Sequence, residues 1–157
     1  MEQKSRTGKK AEIRFIAKVV NIDGETATLR VYPQYREGLK DIGGHSHLIV
    51  LYWAHLRDNE DERRTLLVFP RRHGRKIKTG VFACRSPSRS NPICLCVVEL
   101  LEVEGRALRV RGLDAELGSP IVDIKPYHPC NSIPNARFPE WVRARSTSNT
   151  RVLSFFL

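Results

Sequence analysis

The chain has 157 residues, 41% of them hydrophobic, which is enough for one domain with a buried core and gives no sign of a second. Its 27 Lys and Arg residues exceed its 17 Asp and Glu residues, and the net charge of +10 favours a polyanionic partner, although a merely soluble basic protein has the same balance. No apolar run reaches the length of a membrane span and the first ten residues lack the apolar core of a signal peptide, so we expect a cytoplasmic protein without membrane contact.

The N-terminal third of the chain shows the two-residue alternation of half-buried strands. Residues 1–10 are polar and basic and are expected to form a flexible arm. Apolar residues then alternate with polar ones on both sides of Asp23-Gly24, which predicts a hairpin over residues 12–32. A loop follows, with one helical turn expected at residues 37–42.

The next segment combines an apolar run with an acidic one. Residues 48–53 are continuously apolar, which predicts a central strand buried on both faces. The acidic residues 58–62 are expected to form a solvated excursion, and residues 65–69 to return as another strand.

An irregular polar loop at residues 84–92 lies between two apolar segments. Pro87 and Pro92 each fix φ and remove a backbone donor, so neither a helix nor a central strand continues through it. The apolar residues on either side predict two buried strands, at 79–83 and 93–103, that hold the loop between them. A polar loop held by rigid strands is typical of a ligand site.

The remaining chain completes an all-β pattern. Residues 93–103 and 107–110 flank Glu104-Gly105 as a second hairpin, and residues 121–125 form a last short strand. Many short strands and few helical periods predict a mainly β fold, a small β-barrel that is closed or nearly closed, with few short helices. We expect one barrel domain over residues 11–142 and a flexible basic tail over residues 143–157.

The four cysteines, Cys84, Cys94, Cys96 and Cys130, do not have the spacing of a zinc site, and we expect no metal. In a strand, Cys94 and Cys96 would share one face, as small core residues do.

Three segments taken together resemble the TrmO family. They read GHSHLIVLYWAH (residues 44–55), GVFACRSPSRSNPICLC (80–96) and VRGLDAELGSPIVDIKPY (110–127), and the similarity covers most of residues 11–127. The resemblance implies an S-adenosylmethionine-dependent tRNA methyltransferase on a small β-barrel. It further implies methylation of N6 of N6-threonylcarbamoyladenosine beside the anticodon, and a homodimer with the cofactor site near its interface.

The resemblance also implies cofactor contacts at the end of an apolar strand, in the loop and in the turn after residues 107–110. The residues are His55, Leu56, Arg85, Leu95, Arg111, Gly112, Leu113 and Asp114. Their types suit the ligand, because arginine binds a carboxylate, an acid accepts from hydroxyl and ammonium groups, and leucines line an apolar slot. Two alternatives stay open: Arg85 as a brace bonded to loop carbonyls, and His55 as a hydrogen-bonded structural residue.

Catalysis and RNA binding leave weaker signals. Methyl transfer from a sulfonium gains mainly from positioning, worth up to about 7–11 kcal/mol, so no catalytic residue is strictly required. Candidate bases are Asp123, Tyr127 and His55, although Asp123 and Lys125 are equally well explained as an ion pair that braces the barrel mouth. The candidate tRNA-binding residues form a basic run before the loop: Arg71, Arg72, Arg75, Lys76 and Lys78. The alternative is that this run is only a solvated group of charges.

Several residues differ from the family loop, which usually reads GVFATRSPxRPNPIGLS. Cys84, Ser90, Cys94 and Cys96 stand for threonine, proline, glycine and serine, and Leu117 replaces an aspartate. If the position of Cys94 needs a positive φ or a close backbone approach, its Cβ would cost about 1 kcal/mol or more and could reshape the pocket. Two rival functions therefore remain: an RNA-binding barrel without catalysis, and a methyltransferase for another small substrate.

Overall fold

The computed structural model describes residues 11–70 and 76–142. The expected arm and tail lie outside these residues, as do Arg71, Arg72 and Arg75 of the basic run. The strands and the helix are β1 (Ala17–Asp23), β2 (Thr26–Val31), β3 (His47–Trp53), α1 (Glu60–Arg64), β4 (Leu67–Val68), β5 (Thr79–Gly80), β6 (Ile93–Glu104), β7 (Ala107–Arg111) and β8 (Pro120–Pro126). Short 3-10 turns lie at Pro33–Leu39, Ile42–Gly44, His55–Arg57, Val81–Ala83 and Pro129–Asn131.

Six strands form a closed antiparallel barrel in the order β1-β2-β7-β6-β3-β8, with β8 pairing back onto β1. The strands β4 and β5 form a separate two-stranded ribbon. Closure removes the long sheet edges that would otherwise expose unpaired backbone groups. The prediction of a mainly β barrel with few short helices is therefore confirmed.

The two predicted hairpins are present. Gly24 and Gly105 occupy the turns with φ of +57° and +59°, a region that glycine enters without a Cβ penalty. The first strand begins later than its alternation predicts, at Ala17, because Ile13 and Phe15 precede the pairing with β8 and remain 45% and 38% exposed.

The core fills the barrel interior with one face of each strand. In β3 the side chains of Leu48, Val50 and Tyr52 point inward and are buried, whereas Ile49 and Leu51 are only half-buried. The prediction that this strand is buried on both faces is wrong, because a small barrel has one filled interior and its outer face is covered only in places.

Two further predictions around the loop are corrected. The chain enters the loop through the two-residue strand β5 and a 3-10 turn, and the ring of Phe82 is 85% exposed, so no buried strand spans residues 79–83. The strand predicted at residues 65–69 shortens to Leu67–Val68, since only β5 pairs with it. The acidic excursion contains α1, capped by the Asn59 side chain, which accepts from the Glu62 amide at 3.0 Å.

Three strand ends meet at one end of the barrel. Because neighbouring strands are antiparallel, β3 ends where β6 and β8 begin. We call this the upper end of the barrel. The polar loop and the segment after β3 leave the barrel here, whereas β7 ends beside Glu99 in the middle of β6.

Candidate functional site

A cavity of about 160 Å³ lies at the upper end of the barrel, lined by Arg85, Arg89, Ile93, Cys94 and Leu95. Two guanidinium groups therefore stand beside apolar side chains. Small-molecule sites usually enclose about 300–1,000 Å³, so this cavity suits one part of a larger ligand, such as a carboxylate with the apolar group next to it.

Arg89 braces the first half of the loop. Its Nε donates to the Ser86 carbonyl at 2.7 Å, and its Nη2 donates to the Cys84 carbonyl at 2.6 Å and to that of Val81. Arg89 is thus a brace of the loop, and sequence reasoning missed it. Its position between two prolines, in a loop with many carbonyls and few donors, was the signal that could have found it.

The second half of the loop is tied to the segment after β3. The Ala54 amide donates to the Pro92 carbonyl at 2.8 Å, and Arg63 Nη1 donates to the Ser90 carbonyl at 3.1 Å. The loop is therefore held from both sides while the exposed side chain of Arg85 reaches the cavity.

The turn after β7 is fastened to the rest of the barrel by hydrogen bonds. Gly112 adopts φ of +86°, which favours glycine, and its amide donates to the Glu25 carbonyl at 2.9 Å. The Cys96 thiol donates to the Gly112 carbonyl at 3.1 Å, and the Tyr52 hydroxyl donates to the Asp114 carbonyl. Leu113 packs against the core.

Tyr52 and Cys94 link this turn to the cavity. They are cross-strand partners that both point into the barrel, and their side chains are hydrogen-bonded to each other. Burial, followed by the nearby Cys94 and Asp114, raises the pKa of Tyr52 well above its usual value, and burial likewise raises the pKa of the Cys94 thiol. Sequence reasoning missed Tyr52, although a hydroxyl on an inward strand position needs a partner.

The backbone at Cys94 carries no strain. Cys94 lies within the extended strand β6, and Asp41 is the one non-glycine residue with a positive φ in the described part of the chain. The expected clash of a Cβ with a left-handed backbone therefore does not arise. Cys94 and Cys96 are both buried on the inward face, as their spacing predicts.

The other residues implied by the resemblance do not line the cavity and differ in exposure and partners. His55 Nδ1 is 3.3 Å from the hydroxyl of buried Ser119, so it joins the end of β3 to the start of β8. Leu56 is 66% exposed. Arg111 forms an ion pair with Glu99 on the adjacent strand, at 2.6 Å between Nη1 and Oε2.

The remaining candidate bases lie elsewhere. Asp123 Oδ2 is 2.7 Å from Lys125 Nζ, the ion pair considered from the sequence. Asp123 lines a second cavity of about 350 Å³ that shares no lining residue with the first. Tyr127 follows β8, where its amide donates to the His47 carbonyl at 3.0 Å, at the opposite end of that strand from His55 and Ser119. Of the three candidates, His55 alone lies at the upper end.

Lys76 and Lys78 are exposed directly before β5, which leads into the loop. Lys78 Nζ lies 5.6 Å from the centre of the Phe69 ring. Within the described residues, no three His, Cys, Asp or Glu side chains gather as a metal site would require, and no helix is long and apolar enough to cross a bilayer.

Known proteins of similar sequence identify the family of this chain. A sequence profile described as the tRNA-methyltransferase O N-terminal domain matches residues 17–131. A probable S-adenosyl-L-methionine-binding protein of Archaeoglobus fulgidus is 49% identical over 131 residues, which is 82% of this chain and 34% of that protein. Another, from Methanothermobacter thermautotrophicus, is 45% identical over 80% of this chain and 81% of its own length.

The fold is also similar to a solved structure. The crystal structure of TrmO from Pseudomonas aeruginosa superposes with a TM-score of 0.64 at 25% identity, over 82% of this chain and 61% of that one. The chain thus spans about three fifths of that structure and about a third of the Archaeoglobus relative.

Proposed function

Because the chain belongs to the family of the tRNA-methyltransferase O N-terminal domain, we propose that it binds S-adenosylmethionine and methylates tRNA. The observation that carries this proposal is the cavity at the upper end of the barrel, because its lining includes both Arg85 and Leu95. Relatives with 49% and 45% identity are described as probable S-adenosyl-L-methionine-binding proteins, which supports the same ligand.

The cavity residues fit parts of this cofactor. Arg85, which is exposed at the cavity, offers a guanidinium for the carboxylate of the methionine part. Ile93 and Leu95 offer apolar surface, and the turn that holds Asp114 is tied to the cavity through Tyr52 and Cys94. When bound, S-adenosylmethionine supplies a methyl group activated by the sulfonium.

We propose N6 of N6-threonylcarbamoyladenosine, beside the anticodon, as the acceptor. The lone pair of this nitrogen is delocalised, so a base that accepts its proton would add about 10²–10⁴-fold to the rate. His55 is the candidate that the barrel topology favours, because it follows β3 at the upper end. Asp123 and Tyr127 are proposed only as alternatives.

We propose that the basic residues before the loop contact tRNA. Lys76 and Lys78 immediately precede the strand that leads into the loop, which suits contact with tRNA phosphates, and Arg71, Arg72 and Arg75 belong to the same basic run.

We also propose a homodimer. Exposed apolar side chains on and beside the β4–β5 ribbon offer a surface that a second copy can cover: Leu66, Leu67, Phe69, Ile77 and Phe82. Sedimentation of the wild-type protein and of Phe82→Ser checks this.

Calorimetric titration with S-adenosylmethionine tests the proposal. We expect micromolar binding by the wild type, and binding at least tenfold weaker by Arg85→Ala, because the carboxylate loses its charged partner. Arg109→Ala is a matched control, since Arg109 is an exposed strand arginine that pairs with Glu102 on the barrel surface. Absence of binding by a folded wild-type protein would contradict the cofactor assignment.

Transfer of a labelled methyl group tests the acceptor. We expect label in tRNA that carries N6-threonylcarbamoyladenosine and none in the same tRNA made by transcription without modifications. Equal labelling of both tRNAs would contradict the proposed acceptor while leaving the methyltransferase assignment intact.

A non-catalytic RNA-binding barrel is the second candidate, favoured by the small volume of the cavity, about 160 Å³ with Cys94 in its lining. It predicts salt-dependent tRNA binding without cofactor binding. A methyltransferase for another small substrate would instead keep its activity after Lys76→Glu and Lys78→Glu.

A further inference from the structure

Arg63 lies outside the cavity and reaches three different partners. It belongs to α1, in the segment that the sequence suggested was only a solvated excursion. Its Nε is 2.5 Å from Asp58 Oδ1, its Nη1 donates to the Ser90 carbonyl at 3.1 Å, and its Cζ lies 5.4 Å from the centre of the Trp53 ring. The planar guanidinium thus stacks on an aromatic face while two of its donors are engaged in different directions.

The partners of Arg63 are themselves fixed to the barrel. Trp53 ends β3, is 9% exposed, and packs edge-on against Phe15 with ring centres 6.0 Å apart. Its Nε1 donates to Asp58 Oδ2 at 2.9 Å, so one carboxylate is held by both the indole and the guanidinium. Arg63 is consequently a rigid connection between β3 and the loop.

A second contact runs parallel to the first. Glu62, the neighbour of Arg63 in α1, forms a side-chain hydrogen bond with Ser88 and an ion pair with Arg57 at 2.9 Å. The segment from Ala54 to Arg63 therefore holds the loop at Ser88, Ser90 and Pro92. On the other side of Ser88, Arg89 holds the carbonyls of residues 81, 84 and 86. Arg85 lies within the part that Arg89 holds, between residues 84 and 86, and the contacts at Ser88, Ser90 and Pro92 follow it in the chain.

We propose that Arg63 is a positioning residue for the cofactor loop, and that before a ligand arrives it fixes the backbone at Ser90, next to Arg89, which holds the carbonyls on either side of Arg85. The contribution to binding rests on the proposed function, whereas the effect on the loop does not. A loop ordered in advance loses less conformational entropy on binding, so the ligand is held more tightly. Arg63 acts through the loop and does not line the cavity.

The chain offers a matched control and an internal probe. Arg64 is the next residue of α1 and forms a mainly exposed ion pair with Glu60 at 3.3 Å, so Arg64→Ala removes an equal charge without touching the loop. Cys84 is half-buried in the loop, and the exposed Cys130 serves as a reference thiol within the same molecule.

The first measurement is the rate of maleimide labelling of each cysteine without cofactor, followed by peptide mass spectrometry. We expect maleimide to label Cys84 at least fivefold faster in Arg63→Ala than in the wild type. The labelling rate of Cys84 in Arg64→Ala and that of Cys130 in both variants should be unchanged. Unchanged labelling of Cys84 in Arg63→Ala overturns the proposal, whatever the protein binds.

The second measurement is the dissociation constant for S-adenosylmethionine. We expect Arg63→Ala to raise it at least fivefold, with kcat on saturating tRNA and cofactor within twofold of wild type. Arg63→Lys should not restore affinity, because an ammonium cannot bond Asp58 and Ser90 while stacking on Trp53. Unchanged affinity with faster labelling overturns the positioning role.

One outcome separates this inference from the proposed function. If no variant binds the cofactor, wild type included, but Cys84 still labels faster in Arg63→Ala, the connection to the loop stands and the proposed function fails. If Arg63→Ala does not fold, Arg63→Gln replaces it in both measurements, because glutamine keeps one donor for Ser90 and most of the side-chain volume. The same criteria then apply.

Discussion

Replacing Tyr52 by phenylalanine removes one hydroxyl from the barrel interior and keeps the ring. This hydroxyl donates to the Asp114 carbonyl and is hydrogen-bonded to Cys94, and Tyr52 is 5% exposed. The variant therefore tests how much this group adds to the contacts of Gly112 that also hold the turn after β7 to the barrel.

The expected cost follows from the burial of the partners. A typical hydrogen bond contributes a net 0.5–1.5 kcal/mol, and a buried carbonyl that loses its donor costs about 1–3 kcal/mol. Because the hydroxyl leaves no charge behind, we expect the free energy of unfolding to fall by about 1–3 kcal/mol. For a domain of this size, the melting temperature should fall by about 4 °C per kcal/mol.

The assay is denaturant unfolding followed by tryptophan fluorescence, with Tyr32→Phe as the control. Tyr32 is half-buried and follows β2, at the end of that strand away from the cavity, so its variant should stay within about 0.5 kcal/mol of wild type. We also expect Tyr52→Phe to weaken S-adenosylmethionine binding severalfold, because the turn at Asp114 is less fixed. A stability loss below about 0.5 kcal/mol would refute the anchoring role.

The pH dependence gives the same variant a second test. Burial raises the pKa of Tyr52, so the folded protein keeps this proton while the unfolded chain releases it above about pH 10. The stabilising effect is thus complete below pH 10 and declines as the pH rises, by up to about 1.4 kcal/mol per unit. The difference in free energy of unfolding between wild type and Tyr52→Phe should shrink by this amount as the pH rises above 10. An unchanged difference up to pH 11 would contradict the burial argument.

Three further predictions concern the cavity, the basic run and the contacts of α1. Cys94→Gly should destabilise the protein by about 1–2 kcal/mol in denaturant titration, because a buried side chain in an extended strand is lost, and a stabilised variant would contradict this. Lys76→Glu with Lys78→Glu should weaken tRNA binding and lower its slope against log salt by about 2, measured by filter binding; an unchanged slope would exclude phosphate contact. The hydrogen bond from Arg63 lowers the pKa of Asp58, so the contact with Trp53 should persist below the usual carboxyl range and break as the pH falls further. The pH at which the tryptophan emission changes should be higher in Arg63→Ala than in the wild type. The same transition pH in both proteins would contradict an effect of Arg63 on the Asp58 carboxyl.

Local pattern determined much of the fold. Alternation on either side of Asp23-Gly24 and Glu104-Gly105 predicted both hairpins, because the period of side chains along a strand is read directly from neighbouring residues. The same rule put Cys94 and Cys96 on one inward face. Proline positions marked the loop, since the ring fixes the backbone wherever the rest of the chain lies.

The errors occurred where distant segments decide the outcome. The run at residues 48–53 is equally apolar whether a strand is covered on one face or two, and only closure of the barrel leaves Ile49 and Leu51 half-buried. The acidic residues 58–62 are mostly exposed, as their composition predicts, but only the fold shows that Glu62 contacts Ser88.

The sequence by itself determined that this chain forms short antiparallel strands around a proline-rich loop, and its motifs identified the family. The tertiary structure alone decided that Arg89 braces the loop, that Arg85 and Arg89 line one cavity, and that Asp123 lies in a different cavity from Arg85. The physical reason is that hairpins depend on contacts between neighbours, whereas barrel closure and strand tilt set which strand ends meet. The role of Arg89 depends on carbonyls that only the folded loop gathers around its guanidinium.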